Sequence, residues 1–314
     1  MIFPKPITLK EVANLINAEF EGPENFVLTG INEIHVVEPG DITFVDHPKY
    51  YDKALSSKAS AIIINQKVKC PEGKVLIFHD DPFYAFNTIT TTYNKFKPSN
   101  KHISDTAVIG KNTIIQPGVF IGNNVSIGEN CIIHSNVSIY DNSVIGNDVI
   151  IHSNTVIGAD AFYFQFKNGK HRKLESCGRV IIGDGVEIGS NCSIDKGVTG
   201  DTIIGENTKL DNLIQVGHDT RIGKSCIIAS QVGIAGCVTI EDNVILWGQV
   251  GVQKDLTIGK GAVVLGQSGI PKSLEGNKVY FGSPVQEAKD KMRELAYIKQ
   301  LPEIIQRIKE NNGK

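Results

Sequence analysis

From Ile103 to Val264 a branched aliphatic or leucine returns at every sixth position. One frame runs from Ile103 through Ile157, a second covers Ile182, Ile188 and Ile194, and a third runs from Ile204 through Val264. These runs supply ten, three and eleven positions, twenty-four in all. Two places before most of them stands a small or β-branched residue, such as Val119, Cys131, Thr155, Cys192 or Cys226. Glycine often follows, as at Gly110, Gly146 and Gly205. A period of six fits neither a 3.6-residue helix nor a plain alternating strand, so the chain must turn a corner once per repeat. Three hexads then close one triangular coil, with the aliphatics stacked inside and successive coils paired about 4.8 Å apart. The pattern predicts about eight coils of a parallel β-solenoid.

The repeat occupies the middle half of the chain, and the flanks follow other periods. Residues 7–18 read as a short helix with Thr8 as N-cap, and short β-branched runs such as Ala61–Ile64 read as strands. A second helix is predicted over Pro82–Tyr93, and Lys97–Lys101 is the expected linker. Residues 1–98 therefore form an α/β domain, 99–270 the solenoid and 271–314 a helical extension. In that extension Met292, Leu295, Ile298, Leu301, Ile305 and Ile308 make an apolar stripe, expected to break near Pro302. Two interruptions punctuate the solenoid. The longer, Ala159–Arg179, carries Phe162, Tyr163, Phe164 and Phe166, and either projects toward a neighbouring subunit or covers a cleft. The shorter is a bulge around Gly197–Asp201.

Composition narrows the function classes. Thirty-two basic residues against thirty-four acidic ones create no whole-chain field for nucleic acid or an anionic membrane. No apolar run approaches the roughly 20 residues of a membrane helix, and Met1–Lys10 lacks a signal-peptide core. Cys131, Cys192 and Cys226 fall on small inward hexad positions, while Cys70, Cys177 and Cys237 show no CxxC or Cys/His ligand spacing. Neither a disulfide nor a metal centre is expected, and a reducing cytoplasm fits.

Three constellations carry candidate chemistry. Phe44 and Tyr50 flank Pro48 on a polar segment; they either clamp a flat heterocycle between two rings or anchor the segment to the core. His218 lies two residues after Val216, and Gly236 two residues after Ile234, eighteen residues later. Eighteen is one coil, which puts Gly236 directly beneath His218. An imidazole over a glycine amide suits acyl transfer, with a general base beside an oxyanion donor; a plain surface histidine at a corner is the competing reading. His134 and His152, also eighteen apart, should stack as an outward ladder or an interface contact.

The hexads resemble the left-handed hexapeptide-repeat acyltransferases, a resemblance that implies left-handed coiling and homotrimers with active sites between neighbouring prisms. Glu38–Ile64, SIDKG at Ser193–Gly197 and Asp211–His218 together resemble the UDP-3-O-(3-hydroxyacyl)glucosamine N-acyltransferases of lipid A synthesis, and the likeness spans nearly the whole chain. It implies a mainly β fold: a left-handed parallel β-helix with a small N-terminal α/β domain and a C-terminal helix. It also implies transfer of a 3-hydroxyacyl chain to the 2-amine of a UDP-acylglucosamine, with no bound cofactor and the donor carried on the phosphopantetheine of acyl carrier protein. By the resemblance, His218 is the base, Gly236 the oxyanion donor, Phe44 and Tyr50 the uracil clamp, and Lys49, Asp211 and Gln215 substrate binders. His47 stands where asparagine is frequent. Lys254 or Asp255 stands where a second histidine, thought to assist phosphate binding, is frequent; either Lys254 replaces it electrostatically at the substrate phosphates, or the substrate or rate differs. Basic residues of the terminal helix, including Lys289, Arg293 and Arg307, either solvate it or dock an acidic carrier protein. A coenzyme A-dependent sugar acetyltransferase and a catalytically silent uridine-nucleotide-binding paralogue remain the alternatives.

Overall fold

The computed structural model describes residues 1–312. Its centre is the anticipated prism, a left-handed parallel β-helix whose three sheets each carry eight two- to four-residue coil strands. Partners lie eighteen residues apart, as in Ser126↔Val144 and Ile127↔Ile145. The aliphatic of each hexad points inward, so Ile133, Ile151, Ile188 and Ile228 are fully buried, and Cys131, Cys192 and Cys226 fill the small inward positions as free thiols. Each corner needs one residue at positive φ, which explains the recurrence of asparagine at Asn112, Asn124, Asn130, Asn136 and Asn142. Asparagine tolerates that left-handed conformation better than other side chains do.

Both interruptions leave the ladder intact. Across the longer one Val144 pairs with Ile181, and across the shorter one Ile182 pairs with Ile204. The excursions fold back to cradle the N-terminal domain. Ala161, Leu174 and Val198 join its apolar core, the Asn87 amide donates to the Lys173 carbonyl at 2.8 Å, and the Glu33 amide donates to Thr199 Oγ1 at 2.9 Å. The longer excursion is an antiparallel hairpin, Phe164–Lys167 against Lys170–Lys173.

The N-terminal domain is a six-stranded sheet. Its strands are β1 (Ile2–Thr8), β2 (Glu19–Glu21), β3 (Val27–Ile31), β4 (Asp41–Val45), β5 (Ala61–Ile64) and β6 (Val75–Phe78), in spatial order β1-β3-β4-β5-β6-β2. Helix α1 (Leu9–Ile16) starts at Thr8, whose hydroxyl accepts from the Glu11 amide while the Glu11 carboxylate accepts from the Thr8 amide. This reciprocal cap satisfies two amides that a helix start leaves without partners. The short α2 (Tyr51–Leu55) follows β4, and α3 (Pro82–Tyr93) lies over the sheet, burying Phe83, Phe86 and Ile89.

Two expectations need correction. Phe44 sits on strand β4 rather than on a loop, because its segment pairs in parallel with β5 over Ile42–Val45. The terminal helix α4 (Ala288–Asn312) runs through Pro302 without a break. Proline costs the bond to the residue four places earlier, but helix formers on both sides allow the ladder to resume. Among the described residues no helix is long and apolar enough to cross a membrane.

Candidate functional site

The N-terminal domain, the hairpin and the third face of the prism enclose a cleft of about 1780 Å³. His218 stands at its centre, just past the strand Gln215–Val216. Its Nδ1 lies 2.9 Å from Asp219 Oδ2, and its side chain is only 12% exposed, so it is not a surface histidine. Asp219 is buried because the shorter excursion folds over it: the Val198 amide donates to Oδ2 at 2.8 Å and the Gly200 amide to Oδ1 at 3.3 Å. An ionised carboxylate only accepts, so the proton between the two side chains belongs to Nδ1, leaving the Nε2 lone pair free. The Tyr163 ring meets the imidazole edge-on, with 5.9 Å between centroids.

Gly236 lies one coil below, as the spacing requires. A Cβ added there would come within 2.5 Å of His218 Nε2, so only glycine leaves the imidazole its place. At some equivalent hexad positions a side chain of the next coil holds the outward amide, as Asp242 Oδ1 does Lys224 N and Asn212 Oδ1 does Ser190 N, whereas at others, such as Ser230 and Lys254, none does among the described residues. The Gly236 amide finds no acceptor among the described residues. A free backbone donor beside a pinned imidazole can stabilise an oxyanion.

Other expected residues are placed unevenly. Gln215 lines the cleft and donates from Nε2 to Asp195 Oδ2 at 2.9 Å. Burial pushes the Asp195 carboxyl up to about 6, despite that bond and the nearby imidazole. Phe44 and Tyr50 both face the cleft, Phe44 against Phe86 at 4.7 Å and Tyr50 half exposed. Lys254 also reaches it, paired at 3.6 Å with Asp255.

His47, Lys49 and Asp211 do not line it. His47 caps its own turn by accepting from the Lys49 amide, the Lys49 ammonium lies over the Tyr50 ring at 5.4 Å, and Asp211 accepts from the Asn212 amide at 2.8 Å. Asp211 follows Leu210 on the second sheet, whereas Gln215 is on the third, so one chain cannot bring both to one wall.

Sequence reasoning missed several lining groups. Asp195 was visible only as a member of SIDKG, Glu33, His35 and Cys237 carried no signal, and Asp219, which backs His218 without lining the cleft, was not singled out. Burial pushes the Glu33 carboxyl up to about 8, with Asp219 and Asp255 adding to the rise. A bare track also went unnoticed. Gly233, Gly251 and Gly269 pair rung over rung on the third sheet, and a Cβ at either of the first two would meet nothing within 4 Å. Their spacing of eighteen is the one that stacks His218 over Gly236, so the order of residues carried this signal. The aromatic excursion lines the cleft through Phe162, Tyr163 and Phe164, while Phe162 and Phe166 stay largely exposed.

Comparison with known proteins agrees with this architecture. Residues 25–92 match the family model described as UDP-3-O-(3-hydroxymyristoyl) glucosamine N-acyltransferase, LpxD, and residues 124–159 and 201–236 match the bacterial transferase hexapeptide model. The chain is 46% identical to a UDP-3-O-acylglucosamine N-acyltransferase of Fusobacterium nucleatum, covering 95% of this chain and 96% of that protein. It is 42% identical to the enzyme of that name from Syntrophotalea carbinolica, covering 71% and 72%. Among solved structures, LpxA of Bacteroides fragilis, a UDP-N-acetylglucosamine acyltransferase, superposes with a TM-score of 0.55 at 32% identity, covering 60% of this chain and 71% of that one. A match that carries both the N-terminal domain and the prism over nearly the full length of both chains leaves one conclusion: this chain belongs to the UDP-3-O-acylglucosamine N-acyltransferase family and is an acyltransferase of lipid A synthesis.

Proposed function

We propose that the protein transfers a 3-hydroxyacyl chain from the phosphopantetheine thioester of acyl carrier protein to the 2-amine of a UDP-3-O-(3-hydroxyacyl)-glucosamine. The amine nitrogen attacks the thioester carbonyl carbon and His218 Nε2 takes its proton. The carbon–sulfur bond then breaks, and the proton passes to the departing thiolate. The Gly236 amide steadies the oxyanion formed between these events, a contribution of order 3 kcal/mol for such donors. Asp219 fixes the imidazole orientation and stabilises its charged form.

One observation carries this reading: the Nδ1 of His218 is anchored to a buried carboxylate, while its Nε2 stands over a glycine whose amide is free. Phe44 and Tyr50 suit a uracil ring, and Lys254 suits the diphosphate beside it. The glycine track supports an extended acyl chain, since it offers a groove without side chains about two rungs, or roughly 9.6 Å, long. Asp211 faces another side of the prism, so it joins a cleft only when contributed by a second copy in a homotrimer.

Incubating the purified protein with UDP-acylglucosamine and a panel of acyl carrier thioesters tests the proposal. N-acylated product is expected with carrier-bound donors and none with short acyl-coenzyme A. His218→Ala should abolish turnover with the oligomer intact; retained activity in that variant would remove the base assignment.

A further inference from the structure

A second chemistry is built beside the first. Asp219 and Cys237 occupy the same hexad place one coil apart, joined by the Cys237 amide donating to the His218 carbonyl at 2.8 Å. His35, between β3 and β4, meets them from the N-terminal domain. One ligand atom from each of His35, Asp219 and Cys237 lies within 4.8 Å of the others. In a tetrahedral zinc site such atoms stand about 3.3–3.6 Å apart, so side-chain adjustment of about an ångström closes the group.

The neighbouring Glu33 is the independent sign that the group serves a cation. It is only 8% exposed, and its Oε2 has no hydrogen-bond partner among the described residues. Buried carboxylate oxygens are ordinarily satisfied by a donor or a metal. Glu33 stands two residues before His35 on the segment that meets Asp219 and Cys237, so the groups gathered there are two carboxylates, a thiol and an imidazole, a set whose common partner is a divalent cation. A thiolate with an imidazole and a carboxylate selects the zinc class over magnesium or calcium, which prefer oxygen alone.

We propose that His35, Asp219 and Cys237, with Glu33 supplying the remaining charge, bind one divalent transition metal that ties the N-terminal domain to the solenoid beside His218. Binding releases the Cys237 thiol proton to solvent as the sulfur coordinates. The metal draws on the carboxylate that orients the imidazole, so its occupancy couples domain docking to the site. The inference does not rest on the identity of the acyl donor or acceptor.

Loading the full-length protein with zinc, desalting it and measuring metal by mass spectrometry should give about one zinc per chain. Cobalt in its place should show a near-ultraviolet thiolate-to-metal absorption. Cys237→Ser should lose that absorption, and His35→Ala should retain less than a tenth of the metal at the same free zinc, a loss of the size expected when a ligand is removed. His152→Ala, which alters the other histidine cluster, should change neither. Thermal melting identifies folded variants, and His35, at the cleft edge, remains informative if Cys237→Ser fails to fold. Loss of all zinc from the wild type on desalting, or unchanged binding in folded His35→Ala and Cys237→Ser, overturns the proposal.

Discussion

At the scale of single residues, the chemistry turns on what surrounds His218. Its position and that of Gly236 follow from counting hexads, but the partner that makes it a base, Asp219, does not. An aspartate at a solenoid corner ordinarily faces water, and only the backbone of Val198 and Gly200 folding over it makes this one a buried acceptor. Asp219→Asn should lower kcat on the order of 10²–10³-fold, with a smaller change in KM, because an amide can hold the imidazole in the unproductive tautomer. Steady-state kinetics checks this. Asp195 offers a pH test. Burial raises its carboxyl from the ordinary 3.8 to about 6, so the folded chain binds that proton more tightly than the unfolded chain does. The cost of ionising it is absent below about pH 4, grows toward pH 6 and is constant above. Asp195→Asn should therefore raise the urea midpoint above pH 6, with the gain vanishing near pH 4.

At the scale of elements, the two excursions are the devices that turn a repetitive prism into a site. Asp81, the N-cap of α3, accepts from Arg172 at 2.6 Å and pairs with Lys167 at 2.9 Å, pinning the hairpin to the N-terminal domain. Burial would raise its carboxyl, but those cations and the Tyr84 amide outweigh burial and hold it down at about 2. The stability it adds is present above about pH 4 and is lost as pH falls toward 2. Asp81→Asn should cost about 1 kcal/mol at neutral pH, discounted for solvent screening, and should loosen the hairpin as read by amide exchange. The glycine track makes its own prediction. Gly251→Leu would place a side chain where none stands, so longer acyl donors should lose kcat/KM by at least tenfold while the shortest donors lose little.

At the scale of the whole molecule, the prism presents apolar surface that one chain leaves uncovered. Val108, Ile114, Ile227 and Trp247 are exposed on its faces, and Met292, Ile298, Leu301 and Ile305 line α4. Exposed stripes of this size mark association surfaces. Sedimentation velocity should give three times the 34.2 kDa chain mass, and Ile298→Glu should shift the population toward smaller species. The His134–His152 ladder expected from spacing is present, stacked at 4.9 Å, with His152 bonded to Glu187 at 3.0 Å.

The amino-acid order by itself determined the coil, its three-hexad period and the stacking of any two residues eighteen apart. Each of these follows from rules that act within one or two turns of chain: an inward aliphatic, a small inward partner and a left-handed corner. His218 over Gly236 and His134 over His152 are of this kind. The meeting of His35 with Asp219 and Cys237, the burial of Glu33, and the exclusion of Asp211 from a cleft that admits Gln215 were decided by tertiary structure alone. The first two depend on how a separate domain docks into the excursions. The third depends on which of the three faces that domain and the hairpin cover, which the coil count does not encode.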